Sequence, residues 1–83
     1  MQTAISKLTP ELVAELNFLA HYDLGTMQEG IKVHKEADPS VIAAAQRLHT
    51  KKLVTQADGG YMTALGREVA EQLESILTIL AAK

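Results

Sequence analysis

DPSVIAAAQRLHTKKLVTQADGGYMTALG, residues 38–66, decides how the rest of the chain is read. Asp38 can cap free amides and Pro39 suits the first turn of a helix, so a helix is predicted to open there. Val41, Ile42, Ala45 and Leu48 fall at helical spacing and define its predicted buried face, leaving Ser40, Ala43, Ala44, Arg47, Thr50 and Lys51 on the other side. After Lys52 the pattern turns to β. Leu53-Val54-Thr55-Gln56 favours a strand, Asp58-Gly59 is a hairpin turn signal, and Tyr61-Met62-Thr63 returns. Tyr61 is read as a packing residue on that return strand. Thr63 then caps a long helix predicted from Ala64 to Ala82, with Leu65, Val69, Leu73, Ile76 and Leu80 recurring every three or four residues.

Working outward, Leu8-Thr9-Pro10-Glu11 is a strong helix start. Thr9 serves as cap, Pro10 takes the first position, and Leu8 is placed to staple onto Val13. The helix is predicted from Pro10 to His21, with Leu12, Leu16 and Leu19 inward and Glu11, Glu15 and Asn17 facing water. Asp23-Leu24-Gly25 breaks it. Thr26-Met27-Gln28-Glu29 then reads as a capping box opening a second, short helix that packs through Met27, Ile31 and His34. Gly30 within it marks a close approach by another helix. A short connection at Lys35-Glu36-Ala37 would turn this helix sharply into the one at Pro39, a helix-turn-helix arrangement. The expected fold is mainly α with a small β-hairpin (α+β): three packed helices, a two-stranded wing and a long C-terminal helix.

Eighty-three residues imply one domain, residues 1–83, near the size at which one core suffices without metals or disulfides. With 47% apolar residues and mean hydropathy near zero, the chain is expected to fold by packing alone. It has no cysteine, which excludes disulfides, thiolate metal sites and thiol catalysis. Met1 to Lys7 lack the apolar run of a secretory signal, and no window approaches the ~20 residues of a membrane span. The expectation is a cytoplasmic protein without a membrane partner. His21, His34 and His49 stand at no metal-ligand spacing, and Glu68, Glu71 and Glu74 read as a solvated helix face. No metal, cofactor or catalytic role is assigned.

Charge is uneven along the chain. Residues 1–30 carry Lys7 against Glu11, Glu15, Asp23 and Glu29, a net of minus three. Residues 31–52 carry Lys32, Lys35, Arg47, Lys51 and Lys52 against Glu36 and Asp38, a net of plus three. The remainder is minus two. A basic middle between acidic ends is what a face meeting a polyanion would give.

The run Met62-Thr63-Ala64-Leu65-Gly66-Arg67-Glu68, following a strand and an Asp-Gly-Gly-Tyr turn, resembles the wing and following helix of MarR-type and PadR-type winged helix regulators. The whole chain, including Gln28 to His34 and Ala43 to Leu48, is also similar to a small family of short gammaproteobacterial proteins of no established function, for which DNA binding has been suggested. The resemblance implies a winged helix-turn-helix transcriptional regulator that binds double-stranded DNA; Ser40, Ala43 and Ala44 in the first half of the second helix cannot make bidentate contacts to bases, so modest sequence specificity is expected. Its candidate DNA-binding residues are Lys32, Lys35, Ser40, Ala43, Ala44, Gln46, Arg47, Thr50, Lys51 and Lys52. Lys32, Lys35, Lys51 and Lys52 are assigned to phosphates, which would give a log-log salt slope of about −3.6 per subunit, with Gln46 and Arg47 near base edges. Ile76, Leu77, Ile79 and Leu80 are candidates for a homodimer interface, since the last turns of so long a helix can outrun their own core; the other reading is that Ile5 and Leu8 cover them within the same chain. The alternative is a protein-interaction module that does not bind DNA.

Overall fold

The computed structural model describes residues 7–25 and 29–82. Within these residues the chain is α+β: α1 (Pro10–Ala20), β1 (Ile31–Lys32), α2 (Pro39–Thr50), β2 (Val54–Gln56), β3 (Gly59–Met62) and α3 (Ala64–Ala81). The three strands form one antiparallel sheet in the order β1-β3-β2.

Each helix start follows from its capping residue. The Thr9 hydroxyl accepts the Leu12 amide at 3.1 Å, and the Asp38 carboxylate accepts the Ser40 amide at 2.8 Å. Thr63 does two jobs. Its hydroxyl accepts the Gly66 amide at 3.0 Å and donates to the Lys52 carbonyl at 2.7 Å, so one side chain both starts α3 and fastens it to the end of α2. Close approach at that junction requires Gly66, because a Cβ there would run into the Leu53 carbonyl.

α2 ends in a Schellman arrangement. The Leu53 amide donates to the Leu48 carbonyl at 2.9 Å and the Lys52 amide to the His49 carbonyl at 3.0 Å, with Lys52 left-handed at φ 68°. The chain then enters the hairpin. Its turn is Ala57-Asp58, one residue earlier than the Asp58-Gly59 signal suggests, because both glycines belong to β3. Gly59 and Gly60 have φ of 116° and 71°, and the register slips from Gln56 opposite Gly59 to Val54 opposite Met62. That slip is a bulge on β3, and it needs the backbone freedom of glycine.

The core is small. Phe18, Leu19, Tyr22, Ala45, Leu48, Val54 and Ala70 are buried together, with Val33, Leu53, Met62 and Val69 packed around them. Leu19, Leu48 and Val54 are the largest side chains fully removed from water, each contributing about 1.5–3 kcal/mol. Phe18 and Tyr22 meet edge to face with ring centroids 5.9 Å apart, and the Tyr22 hydroxyl donates to the Gly60 carbonyl at 3.0 Å. Burial, with the nearby Asp58 charge adding to it, pushes the Tyr22 phenol up to about 12.

Several sequence expectations are corrected. The short helix expected from Met27 does not form over residues 29–37, where the chain makes β1 and then a turn closed by the Ala37 amide on the His34 carbonyl. Its Thr26-to-Gln28 start lies outside the described residues. A helix-turn-helix pair is therefore not seen among the described residues. Gly30 does mark a close approach, but to β3: a Cβ there would sit 2.8 Å from the Gly60 carbonyl oxygen. The expected two-stranded hairpin is present as β2 and β3, and β1 joins it on the β3 side to make a three-stranded sheet. Glu15 was placed in water and is buried, whereas Tyr61, read as a packing residue, is 47% exposed. Leu8 and Val13 are both exposed. On α3 the fully buried positions are Gly66 and Ala70, while Leu65 and Leu80 face solvent.

Candidate nucleic-acid interface

α2 packs on two sides and leaves a third open. Toward α1 it presents Ala44, Arg47 and Lys51, spaced three and four residues apart; toward the core, Ala45 and Leu48. What remains outward is half-buried Ala43 with exposed Gln46 and Thr50, and His49 is exposed beside them. Ser40 is exposed at the helix start, its hydroxyl donating to the Asp38 carboxylate at 2.8 Å. Those hydrogen bonds from the Ser40 backbone and side chain hold the Asp38 carboxyl below its usual range. The Thr50 hydroxyl donates to the Gln46 carbonyl at 3.1 Å, which leaves the Gln46 amide as the outward group able to read a base edge.

Ala44, a sequence candidate for this face, is wholly buried between α2 and its neighbours and cannot touch a ligand. Arg47 and Lys51 are drawn away in a different manner. Arg47 Nε donates to Glu15 Oε2 at 2.7 Å, Lys51 Nζ donates to Glu15 Oε1 at 2.5 Å, and Arg47 Nη2 donates to the Glu11 carbonyl at 3.1 Å. The Glu15 side chain is only 6% exposed. Burial acts to raise its carboxyl pKa, but the hydrogen bonds from Lys51 and Arg47, together with their charges, outweigh that and set it below 4.5. The two cations are spent on α1. Glu15 had no signal of this role in the sequence other than sharing α1 with inward-facing leucines; its partners are 32 and 36 residues away.

Lys32 on β1, Lys35 in the turn after it and Lys52 at the end of α2 are exposed, and none is in an ion pair among the described residues. Lys35, His34 and Gln46 line a common depression with the Ala57-Asp58 turn, so the outward face of α2 adjoins the hairpin. The hairpin tip adds a negative charge there, Asp58, whose carbonyl accepts the Val33 amide at 2.8 Å. With no helix over residues 29–37, Phe18, Val33 and Val41 line an open groove of about 560 Å³ between α1 and the start of α2. Arg67 serves structure too. It donates to the Leu24 carbonyl at 2.5 Å and pairs with Glu71 at 3.5 Å, tying the turn after α1 to α3. At the far end, Ile76, Leu77, Ile79 and Leu80 are exposed by 52, 48, 72 and 76%.

Together these features define an α+β protein with a three-stranded sheet and, on α2, a solvent-facing side bordered by lysines. Residues 6–81 match the model of DUF5669, a family of unknown function, and the chain belongs to that family. Neither a curated protein nor a solved structure matches it. No helix among the described residues is long and apolar enough to cross a membrane.

Proposed function

We propose that this chain is a small winged-helix protein that binds double-stranded DNA through the outward face of α2. Lys32, Lys35 and Lys52 meet phosphates at its borders and the β2-β3 hairpin lies alongside. The observation that carries the reading is the juxtaposition of half-buried Ala43 and exposed Gln46 and Thr50 on one side of α2 with three exposed lysines that have no ion-pair partner among the described residues. Gln46 is the one side chain on that face able to make a bidentate contact to adenine, so sequence discrimination is small, about 1–3 kcal/mol at one base pair. Because Lys51 is engaged by Glu15, the phosphate contacts number three rather than four. Three contacts give a log-log salt slope of about −2.7 per copy, or about −5.4 if two copies engage one duplex. Fluorescence anisotropy of a labelled duplex at several salt concentrations reads this slope. Lys35→Gln should flatten it by about 0.9, and absence of binding at low salt would overturn the proposal.

A second reading is favoured by a separate observation. The exposed aliphatic side chains near the end of α3 and a net charge of −2 suit a protein-interaction module that leaves DNA alone. A pure sample that binds no duplex in low salt yet self-associates through α3 would support it.

A further inference from the structure

Glu15 holds two cations that lie beside the outward face of α2. Arg47 follows Gln46 and Lys51 follows Thr50, so each sits about 100° round the helix from an outward residue, on the side toward α1. Elsewhere on the border of that face, Lys35 lines a depression together with Gln46 and has no ion-pair partner among the described residues. One part of the border therefore offers a lysine open to solvent, and another offers two cations already taken. Both oxygens of the carboxylate are used: Oε2 accepts Arg47 Nε at 2.7 Å and Oε1 accepts Lys51 Nζ at 2.5 Å. Exposure is unequal within the cluster. The Glu15 side chain is 6% exposed, whereas those of Arg47 and Lys51 are 33 and 46% exposed. An incoming phosphate can touch the cations from the solvent side, but water cannot replace them on the carboxylate.

We infer that Glu15 withholds Arg47 and Lys51 from DNA phosphates and so limits how tightly α2 can hold a duplex. The inference rests on the proposed reading of α2 as the DNA-facing helix, and adds to it a residue that restrains binding. A phosphate and the Glu15 carboxylate compete for the same N–H groups. Withdrawing the cations would leave a buried carboxylate uncompensated, which outweighs a phosphate contact made at the surface and screened by salt. Arg47 is held further by the Glu11 backbone carbonyl, which accepts its Nη2 at 3.1 Å. The restraint is local. Removing the charge at Glu15 frees both cations, whereas removing it at Glu11, whose side chain makes no ion pair among the described residues, frees neither.

Each phosphate contact steepens the log-log salt slope by about 0.9, so releasing two cations should take the slope from about −2.7 to about −4.5 per copy. That difference amounts to about 60-fold in relative affinity for each tenfold fall in salt. Fluorescence anisotropy of a labelled duplex, with the number of copies bound fixed by stoichiometric titration, reads the slope for wild type, Glu15→Gln and Glu15→Met. Methionine fills the buried site with an apolar chain of similar length, so the test survives a glutamine variant that unfolds, and helical circular dichroism at the assay temperature shows which variants are folded. Adding Lys51→Gln to Glu15→Gln should bring the slope back to about −3.6. Glu11→Gln should keep the wild-type slope despite the same change in net charge. A wild-type slope already near about −4.5, Glu15 variants no steeper than wild type, or equal steepening by Glu11→Gln would each overturn the inference and leave DNA binding by α2 in place. Binding by the Glu15 variants but not by wild type would uphold the restraint and overturn the function proposed for the unaltered chain. Absence of binding by all of them in low salt would remove both.

Discussion

Glu15→Gln separates a packed domain from one whose two helices are held together by charge. In the folded chain Glu15 accepts two charge-assisted hydrogen bonds, from Arg47 and Lys51, at the α1-α2 contact. Such bonds contribute about 1.5–3 kcal/mol each, and severing a fully buried pair costs about 3–5 kcal/mol. Neither figure applies in full, because the Arg47 and Lys51 side chains are 33 and 46% exposed and water can solvate them once released. A glutamine also keeps one acceptor. The net loss should be about 2 kcal/mol, which for a domain this small corresponds to roughly 8–16 °C in Tm. The loss should depend on pH. The Glu15 carboxyl is set below 4.5 in the fold, so its contribution is present above the unfolded value and disappears as pH falls through the folded one. Urea denaturation of both proteins at pH 7 and at successively lower pH is the assay. The gap between wild type and Glu15→Gln should be widest near neutrality and close in acid. A gap under about 0.5 kcal/mol at pH 7, or one that persists unchanged in acid, would refute the assignment of Glu15 as an ion-paired clamp.

Other substitutions test the remaining joints. Gly66→Ala should destabilise by about 1–3 kcal/mol in thermal or urea melts, although alanine is favoured over glycine by about 1 kcal/mol in an open helix, because its methyl meets the Leu53 carbonyl. Thr63→Ala should cost about 1–2 kcal/mol, since it strips the cap of α3 and a partner of the Lys52 carbonyl together. With Tyr61 replaced by Phe, Tyr22 is the single tyrosine, and its phenolate absorbance should rise with a midpoint near 12 in the fold, against 10.0 for the ordinary group. Since that value is raised by folding, the associated stability is present below pH 10 and should drain away as pH climbs from there through 12, visible as a falling urea midpoint.

Much of the architecture was legible because short-range chemistry specifies it. Thr9-Pro10, Asp38-Pro39 and Thr63 each mark a helix start, and the strand-turn-strand pattern of residues 53–63 places the hairpin to within a residue. The misread segment is Ile31 to His34. Its residues fit a helix by spacing, but Ile31 and Val33 are half-buried while Lys32 and His34 are exposed, the alternation of an extended chain. Beside the helix-poor Gly30, that alternation was the better signal. The face of α2 was misjudged because Ala43-Ala44-Ala45 offers no contrast in size or polarity, so the periodicity could not say which alanine turns inward. Phe18 and Tyr22 are two large aromatics one helical turn apart, and that spacing was an available clue to the core. Glu15 could not be found this way. Its environment is created by side chains more than thirty residues distant, and a carboxylate on an amphipathic helix reads as solvated until those partners are located. Of the expected DNA-contacting side chains, Ala44 is lost to the interior, and Arg47 and Lys51 to Glu15.

Lys52 closes α2 in a backbone geometry, φ 68°, that costs an ordinary residue roughly 1 kcal/mol and glycine almost nothing. Relieving it by Lys52→Gly should raise the melting point by several degrees. If α2 binds DNA as proposed, the same edit deletes one of the three lysines assigned to phosphates, so robustness and affinity would pull against each other at a single codon, and a hardier variant obtained there would be a poorer binder.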